Sequence, residues 1–449
     1  MANISHKASK PYKLLYHWVR YLFENLYHRR VYRLHTENIP QEGVPTILVS
    51  NHQNSLLDAF QMLFGTRNSF LHFISRADVF RNKHIAKLLY GLGLIPIYRV
   101  RDGVGKIRDN LQMFDTVEHY LHEGGMLAIY PEATHMDGNY LGRFYLSYTR
   151  IAFETAALSN FEQEVFILPA MLYYEDFTAL RADSLIDYAE AFSIKPYYEL
   201  YQQDARVAEE QVNEIIRHRV QEKMLDVRDR EHYAQVTGFI AYTENAYADR
   251  QKDIDMKQLP QALKVRKAIE AGLYAQKEQA PEKVEEIYAR TESFGKLLKK
   301  YHISHEAFTD PAKPSESIAS LLFYIVLLPL YLLGMLPHIL LYKITPIVMR
   351  KIEDKLMEAS IAIGVWIVGI PLFYLIYFLL TGLLVNWFSA LVLLLLLPQL
   401  GKFAWWYHKN FQQDFQRFRA QLVRTRRPKT WSKMTALHEQ MLQDLDTLC

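Results

Sequence analysis

The sequence predicts an α/β domain, then a helical extension, then a C-terminal α-helical membrane region. Three observations carry this. Short β-branched and apolar runs alternate with helical spacing from Val31 to about Tyr201. Glu, Gln, Lys, Arg and Ala then dominate up to Ser317 with few strand-like runs. Finally, Ile318 to Leu341 and Ala359 to Gly401 contain no Asp, Glu, Lys or Arg, as membrane-crossing segments require. The expected divisions are 1–30, an amphipathic N-terminal helix; 31–201, the α/β domain; 202–317, the helical extension; 318–401, the membrane segments; and 402–449, a basic tail.

Within the first division, Tyr12 to His28 places Leu15, Trp18, Val19, Leu22 and Leu26 on one helical face and His17, Arg20, Glu24 and His28 on the other. Such a helix suits a membrane surface or packs on its own domain. It is not a signal peptide, because Arg20 and Glu24 break the apolar core. Expected strands are Val31–Leu34, Pro45–Val49, Leu71–Ile74, Leu94–Tyr98, Met126–Tyr130, Val165–Tyr173 and Ser184–Phe192, with helices at Lys83–Tyr90 and Val104–Glu123. In the extension, Gln211–Val227 and Gln261–Lys300 have helical spacing, and Asp310 to Ser315 reads as a linker.

Of the 449 residues 50% are hydrophobic and 22% charged, with a net charge of +3. That balance is too small to argue for nucleic acid, and no zinc-finger or helix-turn-helix spacing accompanies it. Cys449 is the sole cysteine, so no intramolecular disulfide and no cysteine metal site are expected. Gly103-Val-Gly-Lys106 fails as a phosphate loop at Val100 and Ile107. His302 and His305 lack an accompanying acid or cysteine at metal-site spacing.

The chemistry concentrates in Val49 to Asp58, where an apolar run delivers Asn51 and His52 to a strand end and Asp58 comes next on an opening helix. A carboxylate can fix one imidazole nitrogen while the other accepts a proton, giving a general base with an orienter. Equally, His52 can be a loop-capping histidine and Asp58 an acid favoured at a helix start.

This stretch resembles the first motif of the glycerolipid acyltransferases, Asn-His followed by an Asp. Gln53 to Leu57 put five residues between His52 and Asp58; the commonest bacterial form has four, and five is the spacing of the fungal-type glycerol-3-phosphate acyltransferases. Gly91 to Arg99 is similar to the second motif, Tyr130-Pro-Glu-Ala-Thr-His135 to the third, usually Phe-Pro-Glu-Gly-Thr-Arg, and Leu168-Pro-Ala170 to the fourth. The resemblance covers Pro45 to Leu172. It implies that His52 and Asp58 are catalytic and that Arg76, Arg99, Glu132 and Thr134 bind the acceptor. Glu132 would hold a glycerol hydroxyl or brace the loop, and Thr134 would reach the phosphate or cap the turn.

The implied reaction moves a fatty acyl group from acyl-CoA or acyl carrier protein, as co-substrate, to glycerol-3-phosphate, with no other cofactor and no metal. Lysophosphatidate is the alternative acceptor, and a non-catalytic lipid-binding or scaffold protein the alternative of another class. Two departures stand out. Ala133 replaces a glycine, which costs energy if the turn needs positive φ, and His135 replaces a phosphate-holding arginine. The helical extension and the membrane hairpin also resemble the fungal-type enzymes. Partners are therefore a glycerol phosphate acceptor, an acyl thioester donor and membrane lipids. Basic residues at Lys343, Arg350, Lys351 and Lys355, and again from Lys402 to Arg427, place both flanks of the hairpin Ala359 to Gly401 on the cytoplasmic side. The catalytic domain is expected there too, because a single span over Ile318 to Leu341 would put it on the other face and a re-entrant segment keeps it inside. Ile318 to Leu341, with Pro329, Gly334 and Pro337, is expected to be kinked and re-entrant.

Overall fold

In the computed structural model, residues 8–66, 70–97, 104–350 and 357–448 are described. The chain forms two compact units, Met1–Asp226 with Asp354–Ile363, and Val227–Glu353 with Gly364–Cys449.

In the first unit, the aromatic-rich start forms α1 (Lys10–Tyr21), continued by a wider π-helical turn, Leu22–Tyr27. Tyr12 packs edge-on to Phe70 at 4.7 Å and Tyr16 to Phe64 at 5.2 Å, so this helix packs its buried face on its own domain. The π turn adds a residue to one helical turn and shifts the phase of the side chains after it. His28, expected on the polar face, is instead buried, with Nδ1 3.0 Å from the Ala182 carbonyl oxygen.

Among the described residues eight strands form one sheet: β1 (Val31–Leu34), β2 (Thr46–Ser50), β3 (His72–Arg76), β4 (Leu94–Ile97), β5 (Met126–Ile129), β6 (Phe166–Tyr174), β7 (Ser184–Tyr188) and β8 (Phe192–Ser193). Their order is β1-β7-β6-β2-β5-β3-β4, with β8 beside the start of β6. Pairings are parallel except those of β6 with β7 and β8. The strand expected over Ser184–Phe192 is split, and Pro169 supplies the reason. Its carbonyl accepts from Ala189 N at 2.8 Å, so its missing N–H faces the same side and interrupts that ladder.

Helices α2 (Leu56–Gly65), α3 (Lys83–Gly91), α4 (Val104–His122) and α5 (Ser147–Ala157) connect these strands. The core on the sheet includes Leu48, Met62, Leu71, Ala128, Leu168, Leu172, Ile186 and Tyr188. After the sheet come α6 (Tyr198–Gln203) and α7 (Ala205–Lys223), the latter capped by Asp204, whose side chain accepts from Arg206 N and Val207 N.

In the second unit, α8 (Tyr233–Asp249), α9 (Leu259–Gln279) and α10 (Pro281–Tyr301) pack together. The helical spacing over Gln261–Lys300 corresponds to two helices, broken at Ala280 where Pro281 starts the next. A short α11 (His305–Thr309) leads to α12 (Pro314–Met349), α13 (Glu358–Leu384) and α14 (Trp387–Arg426). These three helices are long and apolar enough to cross a membrane. They leave Val326, Leu384 and Leu395 between 67% and 80% exposed, as a lipid-facing surface does. The segment Ile318 to Leu341 lies inside the unbroken helix α12, which carries Pro329, Pro337 and Pro346 in its interior. Within the unit His338 meets Tyr374 at 2.9 Å, and the final helix α15 (Pro428–Leu448) packs on α8, α9 and α10.

Candidate active site

Three adjacent strands build the site. The sheet places β2 between β6 and β5, so the carboxyl ends of all three meet, the place where α/β sheets bind ligands. From β2 comes His52, from β5 Glu132, and from β6 Tyr174.

Asn51 anchors the loop. Its Nδ2 donates to Leu172 O at 2.9 Å and its Oδ1 accepts from Leu172 N at 2.8 Å, one more rung of pairing after the strand ends. His52 comes next, with Nδ1 2.8 Å from Asp58 Oδ2. The same carboxylate oxygen accepts from Gln53 N at 2.8 Å and Asn54 N at 2.7 Å, and Asp58 Oδ1 accepts from Tyr174 OH at 2.7 Å. Asp58 is thus fully buried, with its lone pairs occupied by donors, as a buried carboxylate requires.

A carboxylate at Nδ1 assigns the proton there and leaves the lone pair on Nε2. Nε2 of His52 has no hydrogen-bond partner among the described residues. The ring stacks on Tyr130, with centroids 4.0 Å apart and planes 12° apart, and His135 meets it edge-on at 5.7 Å. Stacking and the Asp58 bond together fix the ring's plane and its rotation.

Glu132 is the brace. Its Oε2 accepts from His52 N at 2.7 Å and its Oε1 from Gly142 N at 2.6 Å, so both oxygens hold backbone. Burial pushes its carboxyl up to about 7, against the pull of those two bonds. Ala133 next to it has φ +56: the turn does require the left-handed region, and alanine bears the strain a glycine would avoid. Thr134 is exposed on the same turn. Arg76 is the last residue of β3. Its side chain, like the whole of Arg99, lies outside the described residues.

The structure brings together His52, Asp58 and Glu132, three of the residues singled out from the sequence, and adds Tyr174 and Tyr130, which the sequence did not suggest as their supports. Tyr130 was visible as the first residue of the third motif. Tyr174 gave no signal beyond an aromatic at a strand end.

Residues 31–173 match the family model described as Acyltransferase. The matched region contains His52, Asp58, Arg76, Arg99, Glu132 and Thr134, and ends one residue before Tyr174. No curated protein matches the chain. Among solved structures it is similar to the crystal structure of the 1-acyl-sn-glycerophosphate (LPA) acyltransferase, PlsC, from Thermotoga maritima, at 18% identity and a TM-score of 0.34, over 47% of this chain and 78% of that one.

Proposed function

We propose that the protein is a glycerolipid acyltransferase that moves a fatty acyl group from an acyl thioester to the hydroxyl of glycerol-3-phosphate at the cytoplasmic face of a membrane. The observation that carries this is the His52–Asp58 pair, 2.8 Å apart, with Nε2 unpartnered among the described residues, at a strand end of the region that matches the acyltransferase model. His52 Nε2 takes the acceptor hydroxyl proton as that oxygen attacks the thioester carbonyl carbon. Asp58 holds the ring and stabilises the imidazolium. As the tetrahedral species collapses, the C–S bond breaks and the thiolate leaves with the proton returned by His52. His52 needs no covalent intermediate for this.

For the acceptor, Arg99 would pair with the phosphate, with Arg76 as the second guanidinium fork; Thr134 sits exposed on the neighbouring turn. The five-residue spacing, the helical extension and the apolar C-terminal helices favour glycerol-3-phosphate. Lysophosphatidate carries the same phosphate a few bonds from a hydroxyl, and is the second reading. Side-by-side kcat/KM values for the two acceptors with one donor decide it. A ratio of about ten in favour of lysophosphatidate, about 1.4 kcal/mol, overturns the choice, and absence of turnover with every acyl thioester favours a lipid-binding role instead. The basic flanks put both ends of the hairpin on the cytoplasmic side; the catalytic domain shares that side if α12 enters and leaves by the same face and lies opposite if α12 crosses, which protease protection in sealed vesicles decides.

A further inference from the structure

In the loop between His52 and Asp58 one backbone donor is served from far outside its own neighbourhood. Ser55, at the N-cap position of α2, sits at φ +45 and ψ −113 and makes no side-chain cap. A capping serine normally takes an extended backbone that swings its hydroxyl over the first turn, and positive φ removes that option. Gln53 N and Asn54 N go to Asp58, and Leu57 N goes to Asn54 O at 2.9 Å. The first amide of the helix, Leu56 N, instead donates to Ser360 Oγ at 2.9 Å. Ser360 Oγ in turn donates to Asn54 O at 3.3 Å. The hydroxyl does both jobs of a cap, accepting from the helix and donating to the loop, from a position 304 residues away in sequence.

Ser360 lies in the first turns of α13 that belong to the first compact unit, and it is 5% exposed between Ala359 at 2% and Ile363 at 0%. A hydroxyl at that place, facing two backbone groups of the loop that holds the histidine, is more than packing. We propose that Ser360 is a positioning residue for acyl transfer: it supplies the missing N-cap of α2 and thereby holds the loop from His52 to Asp58 in register. This rests on the acyl-transfer reading above for its consequence, but not for its geometry. The extra residue between His52 and Asp58 is then accommodated by Ser55 in a strained conformation and locked from outside by the start of an apolar helix. The catalytic loop is thereby tied to the segment that enters the membrane part of the sequence.

The test uses the full chain in detergent or bicelles with Ser360→Ala, Ser360→Cys and Ser360→Thr. Loss of one N-cap bond predicts a fall in kcat of about five- to tenfold in the Ala and Cys variants, with the donor KM within about twofold. The Thr variant, which keeps the hydroxyl, recovers most of the rate. Hydrogen exchange of the Leu56 amide, followed in peptides covering 53–58, rises by a similar factor in Ala and Cys and not in Thr. Unchanged exchange in both Ala and Cys overturns the cap. Faster exchange with unchanged kcat overturns the positioning role. If the wild type turns over no acyl thioester, the functional reading falls while the exchange measurement still decides the cap; and if Ser360→Ala does not accumulate, Ser360→Cys carries both measurements.

Discussion

The molecule contains two histidines built almost alike, one in each compact unit. His52 bonds Asp58 through Nδ1 at 2.8 Å and stacks on Tyr130; His232, just before α8, bonds Asp229 through Nδ1 at 3.1 Å and stacks on Tyr288 at 4.7 Å. What separates them is the rest of each aspartate's company. Asp229 also receives the Lys277 ammonium and the Tyr288 hydroxyl. Burial works upward on its carboxyl, but the Lys277 and His232 contacts hold it down at about 2. Its charge is therefore already answered by a cation. Asp58 is bonded only by neutral donors and His52 among the described residues, so an imidazolium forming at His52 would be its sole cation there. The second nitrogens differ too: Nε2 of His232 is 3.8 Å from Glu285 Oε2, whereas that of His52 faces no acid among the described residues. A histidine–aspartate hydrogen bond thus recurs in this chain, and its surroundings decide whether it suits proton transfer.

The largest break of this comparison is removal of the rings. His52→Ala should lower kcat by about 10³-fold or more, the span of general-base catalysis, and His232→Ala should leave it within about twofold, both read in one acyl-transfer assay. Equal losses would erase the distinction. Next comes the acid. Asp58→Asn turns an acceptor into a group whose NH₂ or oxygen must face Gln53 N, Asn54 N and His52 at once, and should cost about 10²-fold in kcat together with a lower Tm. Asp229→Asn, by the same measurements, should lower Tm alone.

A third histidine sharpens the point by having a carbonyl where the others have a carboxylate. Burial pulls His28 down from the usual 6.5 to about 4, so between those values the unfolded chain binds a proton that the native state refuses. Stability is intact above pH 6.5 and falls as pH drops toward 4, by about 2 kcal/mol at pH 5. In His28→Gln, which keeps a donor for the Ala182 carbonyl, the loss of Tm between pH 7 and pH 5 should shrink. An unchanged slope would remove His28 from the acid sensitivity. The smallest effect is Ala133→Gly, which relieves the φ +56 strain and should raise stability by about 1 kcal/mol with kcat unaltered.

Much of the first unit was legible because its signals are local. The apolar run Pro45–Val49 yields β2, and the Val31–Leu34 strand was read at its observed limits. The pair His52 and Asp58 was legible for the same reason: the residues that meet are six apart in sequence. What escaped depends on pairing between distant segments. Tyr174 reaches Asp58 because β6 lies beside β2, a fact about sheet order that no spacing carries. Ser360 sits in an apolar run where a lone serine reads as a tolerated polar residue. His28 was misplaced because a helical wheel at 3.6 residues per turn has no room for the π turn before it. Glu132 was visible, with two uses open, and the two backbone amides it accepts from favour the brace.

Asn51 has a consequence for recognising chains of this kind. Its side chain offers a donor and an acceptor at the spacing of a peptide group, and both are used on Leu172. An aspartate would present two acceptors to the Leu172 carbonyl, and a glutamine would overshoot by a methylene. A search pattern built on the histidine and the acid alone would therefore admit chains whose histidine is not held in place, whereas one that also demands this amide selects for the way the loop is hung from the sheet.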